Sequence, residues 1–150
     1  MDSEFEVMEE NIADKMRSIY SDTVIDYAMN PRNVGSIPNA DGFACVTGPC
    51  GDTMEIWLRV KEDRIRYATF WTDGCGTSIA CGSMTTELVK GKSIGEALGI
   101  TQKDILSSLG GLPEESQHCA LLASNTLKAV LRDYLALKNE PWKRAYRNNV

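Results

Sequence analysis

Five cysteines and a single histidine are the residues of this chain most able to do chemistry. The cysteines stand at 45, 50, 75, 81 and 119, and the histidine sits beside the last of them as His118-Cys119. Three short segments draw attention: Gly48-Pro49-Cys50-Gly51-Asp52, Asp73-Gly74-Cys75-Gly76, and Gln117-His118-Cys119. Each places a thiol where a loop meets a regular element, and two of them place it just before an expected helix N-terminus. Backbone N–H groups and the helix dipole favour a thiolate there, and the thiolate is the form that binds metal or attacks sulfur. Glycines beside Cys50 and Cys75 allow sharp turns that leave the sulfur exposed. If the three segments converge, Cys50, Cys75 and Cys119 with Asp52 or His118 form a soft metal site. Such a thiolate-rich set selects zinc or an iron-sulfur cluster over magnesium or calcium. No CxxC pair is present, so the site is not a zinc ribbon or finger. Cys45 and Cys81 are expected to pack in the interior as small hydrophobes.

The surrounding pattern supplies elements to carry these loops. Apolar residues from Ile12 through Met16, Ile19, Tyr20, Val24 and Tyr27 recur at helical spacing up to Asn30-Pro31, with Ser21 available as an alternative N-cap. Residues 30–41 read as a loop. The period then changes to two: Met54, Ile56, Leu58 and Val60 alternate with Glu55, Trp57 and Arg59, predicting a strand with one buried face. A short polar turn at Lys61–Arg64 returns the chain through Ile65–Trp71, and Phe43–Thr47 is a weaker third strand. Trp57, Phe70 and Trp71 are expected in the core or on a partner surface. From Thr77 the pattern is helical: 77–90 ending at Gly91, short helices capped by Ser93 and Thr101, and a long helix over 117–138 stopped by Pro141. Strands first and helices afterwards predict an α+β fold, a small three-stranded antiparallel sheet packed against several helices.

Composition limits the function classes. The 150 residues suit one domain spanning 1–150, with residues 1–11 as a flexible acidic leader and 139–150 as a C-terminal tail. With 16 basic against 21 acidic side chains the formal charge is -5, which argues against a general nucleic-acid binder. No apolar run reaches a membrane span, the N-terminus is not a signal peptide, and an odd number of cysteines does not close a disulfide framework. A cytoplasmic protein with free thiols is expected.

The ordered motifs resemble one family, the U-type iron-sulfur cluster assembly scaffolds of the IscU and NifU N-terminal type. They run from Tyr20-Ser21 and Asn30-Pro31-Arg32-Asn33-Val34-Gly35 through Cys50-Gly51-Asp52 and Gly74-Cys75-Gly76-Thr77-Ser78-Ile79-Ala80. Thr86-Glu87-Leu88-Val89-Lys90-Gly91-Lys92 and His118-Cys119 complete the series. The resemblance implies that the three loops gather at one end of the sheet. It also implies that Cys50, Cys75 and Cys119 are ligands of a [2Fe-2S] cluster with Asp52 or His118 as the fourth contact, and that zinc can occupy the cluster-free site. By resemblance the protein is a scaffold and carrier, not an enzyme. It would accept sulfur from a cysteine desulfurase, with Cys119 as candidate persulfide acceptor, take iron and electrons from a donor, and pass the cluster to apo-proteins as a monomer or dimer. The alternative is a zinc-bound sulfurtransferase partner of the desulfurase; a third reading is a structural zinc protein. Asp52 would make the site labile, since a carboxylate oxygen suits such a cluster less well than thiolate. Leu112-Pro113-Glu114-Glu115-Ser116 stands where chaperone-dependent members carry Leu-Pro-Pro-Val-Lys, so recognition by the Hsp70-type chaperone is doubtful. Tyr27 replaces a common histidine, the further domains of nitrogen-fixation scaffolds are not expected, and the missing insertion before His118 disfavours the zinc-dependent branch.

Overall fold

The structure, a computed structural model, describes residues 14–146; Ile12 and the leader expected over 1–11 lie outside them. The helical pattern that begins the chain is divided. Helix α1 is described over residues 14–19, the chain breaks at Tyr20, and α2 spans Asp22–Met29. Ser21 is the cause of the restart: its hydroxyl accepts from the Val24 N–H at 3.1 Å, satisfying a donor that the helix itself leaves unpaired. The same hydroxyl donates to the carbonyl of Leu109, tying α2 to a distant loop.

Three antiparallel strands follow in the order β1-β2-β3: Gly42–Thr47, Thr53–Lys61 and Arg64–Thr72. Between β2 and β3 the turn is two residues long, Glu62 and Asp63, both with positive φ (55° and 62°) and neither a glycine. That is the twist a tight hairpin favours, and Asp63 is held in it by Lys138 Nζ at 2.8 Å. A register shift at Arg59/Val60 changes which β3 residues face inward, so Ile65 and then Ala68 and Phe70 are buried. With Met54, Ile56 and Leu58 they form the apolar face of the sheet.

Helix α3 (Gly76–Val89) lies against that face. It can approach closely because its residues are small: a Cβ on Gly82 would sit 2.4 Å from the Phe70 ring. Short helices α4 (Ile94–Leu98) and α5 (Gln102–Ser108) each begin with a reciprocal capping box, Ser93 with Glu96 and Thr101 with Asp104. The long α6 (Gln117–Asn139) buries Ala120, Ala123, Leu127, Val130 and Leu131, the stripe expected from its spacing. It ends before Pro141, and residues Pro141–Tyr146 of the expected tail form a 3₁₀ turn. No helix among the described residues is long and apolar enough to cross a membrane.

Both sheet edges are partly covered. The loop after α2 runs beside β3, with Phe70 N–H donating to Asn33 O at 2.9 Å and Gly35 N–H to Phe70 O at 3.0 Å. On β1, Phe43 N–H donates to Asp133 of α6 at 2.8 Å. These contacts occupy part of each edge and shorten the unpaired stretches that invite aggregation. Because the strands form an antiparallel meander, the β1–β2 connection and the exit of β3 lie at the same end of the sheet. Two of the three cysteine loops are thereby neighbours.

Candidate metal centre

Cys75 is the N-cap residue of α3, with extended backbone at φ -74° and ψ -176°. Its sulfur faces the first turn, 2.9 Å from the Thr77 hydroxyl. Burial raises the Cys75 thiol, but hydrogen bonds from the Thr77 hydroxyl, the Ser78 and Thr77 backbone N–H groups and the Ser78 hydroxyl outweigh it. The net effect holds the thiol below its ordinary value. Cys75 is also exposed, so it combines access with thiolate character.

Cys119 sits in the first turn of α6, and the two helix N-termini meet at its sulfur. Ser78 Oγ donates to Cys119 Sγ at 3.4 Å, and the Thr77 hydroxyl lies 3.5 Å away. Thr77 thus stands between the two sulfurs. His118 Nε2 is 3.7 Å from the same Cys119 sulfur, although the imidazole is otherwise exposed. Burial pushes the Cys119 thiol up against the pull of the two hydroxyls, and Cys75 and Asp52 add to the rise. Cys119 is only 1% exposed, so it is chemically quiet as placed.

The third segment arrives from the β1–β2 connection. Gly48 N–H donates to Asp52 O at 2.8 Å and Gly51 N–H to Gly48 O at 3.0 Å, and Gly51 takes φ 87°, which favours glycine. This turn exposes Cys50 and directs the Asp52 carboxylate inward. A Cβ built on Gly74 would lie 2.4 Å from Ser78 Oγ and 3.2 Å from Asp52 Oδ2, so Asp52 and Ser78 converge on Gly74. Cys50, Asp52 and His118 also line one cleft of about 120 Å³, walled by Pro49, Leu121 and Leu122. A second, apolar pocket of about 220 Å³ opens beside Cys75 and is walled by Tyr20, Val24, Ile25 and Ala28.

The five expected ligand residues therefore gather at one end of the molecule. They are not drawn into a coordination sphere: among the described residues, no three His, Cys, Asp or Glu side chains are placed to hold one metal ion. The donor set itself, three thiols with a carboxylate and an imidazole, fits soft metal chemistry. Two further cysteines divide. Cys81 is buried as expected, and burial, with Cys119 and Cys75, pushes its thiol far up. Cys45 is exposed, which corrects the expectation of burial. Its neighbours Ala44 and Val46 pack against the core, so alternation turns Cys45 to the outer, exposed face. Thr77 and Ser78 are residues to which the sequence assigned no role. Their only signal is a hydroxyl two and three residues after a cysteine at a helix start.

Comparison with known proteins gives concordant matches. The family model for the NifU-like N terminal domain matches residues 19–141. Iron-sulfur cluster assembly scaffold protein IscU 1 of Archaeoglobus fulgidus is 49% identical over 117 residues, covering 77% of this chain and 76% of the relative. The IscU scaffold protein of Escherichia coli K12 is 46% identical over 120 residues, covering 77% and 93%. Among solved structures, a putative iron-sulfur cluster assembly scaffold protein for the SUF system from Fervidobacterium islandicum superposes with a TM-score of 0.62. That pair is 24% identical, covers 76% of this chain and 97% of the other, and speaks to the fold alone. The length of the family match and the identity to these relatives lead to one conclusion: the chain belongs to the NifU-like N-terminal domain family.

Proposed function

We propose that the protein is an iron-sulfur cluster assembly scaffold that builds a [2Fe-2S] cluster and hands it to apo-proteins. The observation that carries this reading is the meeting of the Cys75 and Cys119 sulfurs around Thr77, with Cys50, Asp52 and His118 at the same end. Iron and sulfide are cargo here. Cys50, Cys75 and Cys119 supply thiolates, and Asp52 or His118 supplies the weaker fourth contact that allows release.

Sulfur would enter as a persulfide on a cysteine desulfurase. Attack by a scaffold thiolate on the outer sulfur breaks the S–S bond, expels the desulfurase thiolate and leaves a persulfide on the scaffold. Two electrons from a separate donor then reduce that sulfur to sulfide. Cys119 is the proposed acceptor; being buried, it acts only after the Gln117–Cys119 turn opens. Cys75, exposed and held toward the thiolate, is the readier nucleophile in the described conformation.

Anaerobic incubation with ferrous iron, cysteine, a desulfurase and a reductant, followed by transfer to an apo-ferredoxin, tests the proposal. Cluster formation and delivery are expected. A chain that stays colourless while a control scaffold fills refutes it, and full desulfurase stimulation with zinc bound and no cluster establishes the sulfurtransferase alternative.

A further inference from the structure

The outward face of the sheet is aromatic where most outward strand faces are polar. Across the three strands its rows are Cys45–Glu55–Trp71 and Phe43–Trp57–Thr69, set by the pairing register. Trp57 is a fixed wall: it is 6% exposed and braced by Phe43, with ring centroids 5.2 Å apart. Trp71 is 45% exposed. Between the two indoles runs an open groove of about 420 Å³, lined by Glu55, Trp57 and Trp71 and closed on one side by Gly35 and Ser36.

Charge decides what such a groove accepts. Glu55 stands opposite Trp71 and two residues before Trp57, with the Cys45 thiol as its neighbour on β1, and no ion pair involves it among the described residues. The carboxylate of Asp73 is held to Thr53 N–H at the nearby strand end. The cation that follows Trp57 on β2, Arg59, is occupied: its guanidinium donates to the carbonyls of Pro38 and Asn39 at 2.7 and 2.9 Å. The exposed indole face of Trp71, the accessible edge of Trp57 and a carboxylate without a cation form a site for a flat positive group. A guanidinium stacks on indole while its N–H fork meets the carboxylate, which a compact ammonium does less well.

We propose that the Trp57–Trp71 groove is a docking slot for an arginine side chain presented by a partner protein. Trp71 lies two residues before the Asp73–Cys75 loop and Glu55 three after Asp52, so a partner anchored there rests beside the cysteine loops. The slot needs no metal and goes beyond the scaffold reading, so its failure leaves that reading untouched.

The test follows the indole N–H signals of Trp57, Trp71 and Trp142 in the full chain by NMR, while a Gly-Gly-Arg-Gly-Gly peptide with blocked ends is added. Saturable shifts of Trp57 and Trp71, with Trp142 unmoved, are expected. Glu55→Gln should weaken binding about tenfold or more with the fold unchanged, and Trp71→Ala likewise. Equal shifts from the citrulline peptide, equal binding of the lysine peptide, or wild-type affinity in Glu55→Gln would each overturn the proposal. So would shifts that track protein concentration with a dimer mass, since a second copy would then be the occupant.

Discussion

At the candidate metal centre Thr77 stands between two sulfurs. Its hydroxyl lies 2.9 Å from the Cys75 sulfur and 3.5 Å from the Cys119 sulfur, and it is among the groups that offset the burial of Cys75. Thr77→Val keeps the shape and removes the hydroxyl. Burial of Cys75 is then opposed by fewer donors, its pKa rises, and its alkylation by iodoacetamide should need higher pH. A pH profile of Cys75 labelling, read by mass spectrometry, should move upward; an unmoved profile would deny Thr77 this role. Asp52 makes a second prediction: Asp52→Ala should fill with cluster but release it to an apo-ferredoxin more slowly, because the labile oxygen is gone. Unchanged transfer half-times would point to His118 instead. The ligand types were legible from sequence because cysteine beside glycine at an element boundary has few other uses. Thr77 and Ser78 were not, since hydroxyls are common at helix starts and only the approach of α6 gives these two a second sulfur to meet.

The elements explain why the sulfurs come together. Antiparallel pairing puts the β1–β2 turn and the exit of β3 side by side, and α3 starts within a few residues of that exit. The depth at which α3 lies depends on Gly82, whose missing Cβ admits the Phe70 ring. Gly82→Ala forces helix and sheet apart, and overpacking of this kind costs about 1–3 kcal/mol. Urea denaturation should show that loss, and a midpoint at or above the wild-type value would contradict the packing described. Strand and helix positions were readable from period and caps: β2 from its alternation, α4 and α5 from Ser93 and Thr101. The Glu62-Asp63 turn was legible as a short polar stretch between Lys61 and Arg64, although it lacks the glycine or asparagine that announces such hairpins; what was hidden is its anchor, Lys138 from the far end of the chain. The exposure of Cys45 was hidden too: it lies on the exposed face of β1, and alternation alone did not decide which of that strand's faces is buried.

At the scale of the molecule, stability should depend on pH from both sides. Hydrogen bonds from Arg32 hold Asp26 below the usual carboxylate range, and those from Lys138 do the same for Asp63. Backbone and hydroxyl donors at Ser93 and Thr101 lower Glu96 and Asp104. A folded pKa below the unfolded one adds stability above the unfolded value and loses it as protons bind in the fold. Resistance to urea should therefore fall, modestly for such exposed groups, as pH drops below about 4. Burial holds the Cys81 and Cys119 thiols protonated in the fold, so resistance should fall again above about pH 8.5, where unfolded thiols ionise. Urea midpoints across the pH range check both limbs; a flat profile would contradict them. The central claim concerns the cysteines that this fold gathers at one end. Its most direct test is the iron and sulfide content, with the visible spectrum, of anaerobically reconstituted wild type beside Cys50→Ala, Cys75→Ala and Cys119→Ala. Equal iron and sulfide with a [2Fe-2S] spectrum in the wild type, and loss of that spectrum in each variant, is the predicted result; a cluster that survives all three substitutions would contradict the account.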